Sequence, residues 1–273
     1  MTDQPTHTGH VAVVTGAGSG IGRSLATLLD QRGWRLALCD IDEAGLEKTA
    51  SDLRGEVLTR RVDVADREAV ADFAQAVEGR YGRVDLVVNN AGVDVSQTAA
   101  DTSYEDFEWL MNINFWGVVH GTKAFLPGMI RRDAGTIVNV SSIFGILAWP
   151  THSAYVASKF AVRGYTESVR HELLGSGVRL VVVHPGGIDT GIVERSRFYV
   201  DDVGSRDKAQ MQQQFAKMAP TSPDQAAAKI LRAVERGRSR VLIGPDAMAG
   251  DRLQRLAPVR YWRVLRALRR FAR

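Results

Sequence analysis

Short runs of β-branched and aliphatic residues alternate with helix-length stretches along most of this chain, and that rhythm leaves few folds open. The strand-like runs lie at 11–16, 35–40, 57–64, 84–90, 136–142, 178–186 and 240–244. Several are apolar at successive positions, as in strands covered on both faces. Between them, helices are expected at 20–32, 43–53, 66–80, 103–131, 152–175 and 223–236, with Asp66 and Ser222 as N-caps and Pro223 in a first turn. This alternation predicts an α/β fold with a parallel, doubly wound sheet. A chain of 273 residues, 45 % hydrophobic, can bury such a core. No repeat or linker divides it; the segment 187–220 alone breaks the rhythm and reads as mixed and mobile.

The first strand runs into TGAGSGIG, with Gly16, Gly20 and Gly22 between strand and helix. A backbone that turns sharply and approaches a phosphate has no room for a Cβ, and the helix beyond points free N–H groups at that phosphate. Ser19 and Ile21 belong to the same turn. The second strand ends in Asp40, whose carboxylate can accept both hydroxyls of an adenosine ribose and would repel a 2′-phosphate. No Lys or Arg stands at 17–20 or 41–42 to receive that phosphate, although Arg23 is close. The reading therefore favours NAD over NADP, with helix capping as the alternative role for Asp40. Asp63 and Val64, ending the third strand, are placed to flank an adenine.

SAYVASKFA sets Tyr155 four residues before Lys159, on one helix face. An ordinary phenol, with a pKa of about 10, is a poor base at neutral pH, and a neighbouring ammonium stabilises phenolate. Of the six tyrosines only Tyr155 has a lysine at i+4. The same spacing also serves a plain surface pair. Ser142, ending a strand thirteen residues earlier, can donate to a substrate oxygen. Ser141 beside it would point the other way. Asn114 sits inside a helical stretch that asparagine disfavours, where it can hold a water or kink the helix; Asn112 is the rival position.

In order, TGAGSGIG, NNAG at 89–92, Asn114 in MNINFWG, NVSS at 139–142, YVASK at 155–159 and PGGIDT at 185–190 resemble the short-chain dehydrogenase/reductase family, over about residues 10–245. The resemblance implies a single Rossmann domain with a seven-stranded parallel sheet, and hydride exchange between a nicotinamide cofactor and an alcohol or carbonyl compound. It implies a catalytic set of Asn114, Ser142, Tyr155 and Lys159. Cofactor contacts are implied at Asn90, Ala91 and Gly92, at Pro185, Gly186 and Ile188, and at Thr190 beside the carboxamide. It also implies a homodimer or homotetramer built on the 103–131 and 152–175 helices. An NADPH-linked ketone or 3-oxoacyl reductase, and a nucleotide-binding protein without turnover, are the alternatives.

Substrate walls are expected from Val93, Val95, Phe144, Ile146, Leu147 and Trp149, then Ile192, Phe198, Tyr199, Met211, Phe215 and Met218, most of them following strand C-termini. Their character predicts a bulky apolar secondary alcohol. His152 is expected in a solvated loop within reach of substrate. Residues 252–273 hold eight arginines and no acid, so the rest of the chain carries −4 within a net charge of +4. The domain is drawn at 1–250 and the tail at 251–273. Tyr261, Val264, Leu265, Leu268 and Phe271 share one face of an expected basic amphipathic helix opened by Pro258. Such a helix can lie on an anionic membrane, on the body or on another subunit. Nothing supports nucleic-acid binding. The single cysteine, Cys39, excludes a disulfide or a cysteine-built metal site and suits a reducing cytoplasm. The N-terminus reads as having no signal peptide.

Overall fold

The structure, a computed structural model, describes residues 9–271, with the side chains of 217, 218 and 268–271 outside the described set. In chain order the first half holds β1 (Val11–Thr15), α1 (Gly20–Asp30), β2 (Arg35–Asp40), α2 (Glu43–Ser51), β3 (Val57–Arg61), α3 (Arg67–Tyr81), β4 (Leu86–Asn89), β5 (Val95–Ser96), α4 (Tyr104–Met111) and α5 (Gly117–Arg132). The second half holds β6 (Gly135–Val140), α6 (Ser153–Glu172), β7 (Val178–Pro185), β8 (Arg197–Phe198), α7 (Lys208–Met218), α8 (Pro223–Glu235), β9 (Arg240–Ile243), α9 (Pro245–Leu256) and α10 (Tyr261–Phe271).

Seven strands form one parallel sheet in the order β3-β2-β1-β4-β6-β7-β9. All five residues of β1 are buried, which explains its unbroken apolar run. Ala12 and Val14 face a core that includes Leu25, Leu29, Ile230 and Leu231 of α1 and α8. Val11 and Val13 face the opposite core, with Phe73, Phe125, Met129 and Val169 of α3, α5 and α6. The chain thus wraps the sheet on both sides, and the order reverses between β1 and β4, opening a crevice at the carboxyl ends of those strands.

Four departures from the sequence reading matter for function. The helical stretch 103–131 is broken by a π-helical turn, Asn112–Trp116, between α4 and α5. Within 187–220, β8 pairs with β5 across about a hundred residues, and α7 follows with Asp207 as its N-cap. The boundary drawn at 250/251 falls inside α9, where Asp251 is buried and holds Arg240 of β9 at 2.6 Å. Pro258 lies in the turn before α10, which begins at Tyr261.

Candidate active site

The β1–α1 turn is built against the end of β4. Gly16 has φ +66°, and a Cβ there would lie 2.8 Å from the Ala91 Cα. The Thr15 hydroxyl accepts from the N–H groups of Asn90 (3.0 Å) and Ala91 (3.1 Å). The Asn90 amide donates back to the carbonyls of Thr15 and Gly16. Ser19 is the N-cap of α1 but makes no side-chain capping bond, so the first-turn N–H groups around Gly20, Ile21 and Gly22 remain available to an anion. Arg195, unforeseen in the sequence, donates to the Ser19 hydroxyl at 2.7 Å.

Asp40 braces this turn. Its Oδ2 accepts from the Gly18 N–H at 2.8 Å, and its Oδ1 accepts from the Asp42 N–H at 3.0 Å. The N-cap of α2 is Asp42, so capping is not the role of Asp40. Arg23 bonds the carbonyls of Gly18 and Gly45 and the Thr49 hydroxyl. Asp63 is exposed at the crevice rim, and Val64 is buried beside it. Across the crevice, Pro185 ends β7 and Ile188 is buried. Asp246 accepts from the N–H of Gly187, next to Gly186, at 2.6 Å. The Thr190 methyl lies opposite Gly20.

The structure brings Asn114, Ser142, Tyr155 and Lys159 together. Asn114 is fully buried; its Oδ1 accepts from the Val93 N–H at 2.8 Å, and its Nδ2 donates to the Val93 carbonyl at 2.9 Å and to Ser158 Oγ at 3.2 Å. Asn112 is exposed on the other side of the widened turn. Gly92 lies against both partners: a Cβ there would be 3.1 Å from Asn114 Oδ1 and 3.4 Å from Lys159 Nζ. The Lys159 ammonium donates to the Val140 carbonyl at 3.2 Å and stands 5.5 Å from the Tyr155 ring centroid. Ser142 hydrogen-bonds the Tyr155 side chain. The Ser141 hydroxyl turns away and donates to the Lys159 carbonyl at 2.8 Å. Behind Ser142, buried His184 has Nδ1 2.9 Å from the Ser142 carbonyl, and burial pulls its pKa down to about 4, so the neutral ring donates there.

Within the protein alone, electrostatics run against phenolate. Burial, then the Asp94 carboxylate, push Tyr155 above the usual phenol value, and the Ser142 bond only partly offsets them. Burial also lowers Lys159 to about 8, with Asp94 acting in the opposite sense. The ammonium sits beside the phenol ring and is itself desolvated, so within the protein alone it does not make phenolate easy.

The expected walls divide. Val93 is half-buried beside Asn114. Phe144 and Trp149 stack at 6.1 Å, and Phe144 stands edge-on to Tyr155 at 6.0 Å. Ile192 and Phe198 are partly buried, the latter on β8, and Met211 and Phe215 are partly buried on α7. Val95, Ile146 and Leu147 are buried, and Tyr199 is exposed and bonded to Asp106. The Met218 side chain lies outside the described residues. His152, expected in solvent, is buried against Asp94 and Phe144. The tail reaches the same loop: the Ala148 N–H donates to the Tyr261 hydroxyl at 2.9 Å, and Trp262 stands edge-on to Trp149 at 5.2 Å. The body therefore covers part of α10, through Tyr261 and a tryptophan absent from the expected face; Val264 is exposed, and the side chains of Leu268 and Phe271 lie outside the described residues. Among the described residues no helix is long and apolar enough to cross a membrane, and no cluster could hold a metal ion.

The family model described as short chain dehydrogenase matches residues 10–198. A protein named oxidoreductase SadH, from Mycobacterium tuberculosis, is 44 % identical over 269 residues, covering 95 % of each chain. A solved short-chain dehydrogenase/reductase from Burkholderia phymatum in complex with NAD shares 31 % identity at a TM-score of 0.84, over 93 % of this chain and 95 % of that one. An alcohol dehydrogenase from the archaeon Thermococcus sibiricus, complexed with 5-hydroxy-NADP, shares 28 % at a TM-score of 0.73, over 86 % and 95 %.

Proposed function

The chain belongs to the short-chain dehydrogenase family of oxidoreductases, and on that premise we propose that it moves a hydride between NAD and a bulky apolar secondary alcohol or its ketone. The observation that carries this reading is the meeting of Ser142, Tyr155, Lys159 and Asn114 at the crevice where the sheet order reverses.

The residues fit a dinucleotide. The Gly16 turn, closed by Ala91 and Asn90, leaves the uncapped first turn of α1 for a pyrophosphate. Asp40 would take the adenosine ribose, Asp63 and Val64 the adenine, Tyr155 and Lys159 the nicotinamide ribose, and Ile188 and Thr190 the carboxamide side. When bound, the oxidised nicotinamide accepts the hydride and brings positive charge into the crevice. Ser142 holds the alcohol oxygen, and Tyr155 accepts its proton. Lys159 keeps an ammonium beside the ring, and Asn114 fixes the Val93 backbone that faces it.

Two further observations refine the reading. Asp40 offers a carboxylate where NADP would carry its 2′-phosphate, which favours NAD. The rings of Phe144, Trp149 and Trp262 form a contiguous apolar series that starts against Tyr155, which favours a large apolar substrate. Phe107, Trp116 and Phe160 are exposed on the α4–α6 surface, which supports self-association there.

A spectrophotometric screen of alcohols with NAD and NADP, followed at the nicotinamide absorbance, tests the proposal. Bulky secondary alcohols with NAD should outpace small polar ones, and Tyr155→Phe should lower kcat at least a hundredfold. Turnover by that variant at the unmodified rate would refute the assignment of Tyr155.

A further inference from the structure

Asp94 and His152 form a buried pair at the edge of the site that the hydride-transfer reading leaves without a task. Their relative exposures are 9 % and 6 %. Asp94 follows Val93, the residue clamped by Asn114, and His152 opens the helix that carries Tyr155. Asp94 Oδ2 lies 3.5 Å from His152 Nε2. Nδ1 of the same ring lies 3.1 Å from the Pro150 carbonyl. The Thr151 hydroxyl, 3.4 Å from Nδ1, already donates its proton to that carbonyl at 2.6 Å. Both ring nitrogens therefore face lone pairs, and both need a proton to bond them. Protonation at both nitrogens lets the ring bond both acceptors, and the Asp94 carboxylate favours it.

This pair is electrically coupled to the reacting groups. The Phe144 ring stands edge-on to His152 at 5.7 Å and to Tyr155 at 6.0 Å. Asp94 is the charged group that acts on Tyr155, on Lys159 and on His152 alike. His184, behind Ser142, is neutral at physiological pH. An uncompensated carboxylate here opposes phenolate and favours ammonium; a carboxylate cancelled by imidazolium does neither strongly. The balance also explains how His152 keeps its charge: burial works against it, and the Asp94 carboxylate with the Pro150 carbonyl outweighs burial.

We propose that Asp94 and His152 are positioning residues whose mutual neutralisation sets the pH at which Tyr155 accepts the substrate proton. The proposal rests on Tyr155 being the proton acceptor.

The two single variants should differ, and that makes it testable. In alcohol oxidation with saturating NAD, His152→Gln leaves Asp94 uncompensated and should move the acid limb of the kcat/KM profile up by about one pH unit. Asp94→Asn removes the group that holds the His152 proton, so the pair stays net neutral and the limb should move little. The double variant D94N/H152Q, also net neutral, should return close to the unmodified profile. A merely structural role would lower rates without the upward shift and without restoration in the double variant. Should His152→Gln fail to fold, the histidine titration decides the pair. A second readout needs no turnover: among the six histidines, NMR titration of the chain alone should show one with a pKa above 6.5 that falls in D94N. A folded His152→Gln with no upward shift of the limb, or no histidine answering to D94N, would overturn the proposal. Failure of the unmodified chain to oxidise any alcohol would count against hydride transfer, while the NMR titration would still decide the pair.

Discussion

Consider Asn114→Ala. Asn114 is wholly enclosed and gives Val93 both of its backbone partners, at 2.8 and 2.9 Å. Truncation leaves one N–H and one C=O of half-buried Val93 facing the enclosed space that the Asn114 side chain filled. Each buried group so orphaned costs about 1–3 kcal/mol. Ser158 is spared, because its hydroxyl still donates to the Tyr155 carbonyl at 2.7 Å. The sum is about 2–6 kcal/mol, and a small cavity pushes it away from the lower limit. That is a large share of the roughly 5–15 kcal/mol that holds a domain folded. Urea unfolding followed by tryptophan fluorescence measures it. Asn114→Asp is the sharper companion. It keeps an acceptor for the Val93 N–H but faces the Val93 carbonyl with a second oxygen, so it must be protonated to bond there. Its folded pKa is therefore raised. The variant should be most stable below about pH 4 and lose stability as pH rises through the folded value. A loss under 1 kcal/mol for Asn114→Ala, or a pH-independent loss for Asn114→Asp, would show that Asn114 does not hold Val93. The π-helical turn would then need another cause.

Three more outcomes are expected. Asp40→Ala should raise the NADP-to-NAD ratio of kcat/KM at least tenfold while weakening NAD itself, since the Gly18 N–H loses its partner; an unchanged ratio would remove Asp40 as the selector. Trp262→Ala should raise KM several-fold for bulky apolar alcohols and leave small ones alone, because an edge-on aromatic pair contributes about 0.5–1.5 kcal/mol; equal effects on both would exclude a role in the cleft. His184, neutral in the fold with a pKa of about 4 against an ordinary 6.5, contributes stability present above pH 6.5 and lost as pH falls toward 4, on the order of 3 kcal/mol. Replacing it by Asn should flatten the acid side of the stability profile, and an unaltered acid slope would refute that account.

How far the sequence could be read follows from the range of the forces involved. Most sheet strands were legible because burial on both faces writes a doubled apolar run, as in β1 and β7, whereas β3, VLTRR and largely exposed, was legible by its place in the alternation. The β1–α1 turn was legible because a close backbone approach demands glycine locally. The π-helical turn was legible only as a weak point, the asparagines of NINFW that a helix disfavours; its widened form depends on the distant Val93 backbone, which no local pattern announces. The pairing of β5 with β8 rests on two residues per strand, too few to leave a pattern. His152 looked like a solvated loop residue because its polar neighbours in sequence, Thr151 and Ser153, say nothing of Phe144 and Asp94, which bury it from elsewhere.

The tail shows the same limit from the other side. An amphipathic stripe states that one helix face must be covered; it carries no information about the cover. The cover observed in part is the loop bearing Ala148 and Trp149, whose apolar character was assigned to substrate. Two unexplained apolar surfaces in one sequence thus meet each other, and each accounts for part of the other. Tyr261 and Trp262 come to stand next to the ring stack that leads through Phe144 to Tyr155. Residues beyond 258 therefore join the loop that carries Phe144 and Trp149 through contacts that no spacing rule encodes, which is why the surroundings of Tyr155 were the part least accessible to reading the chain alone.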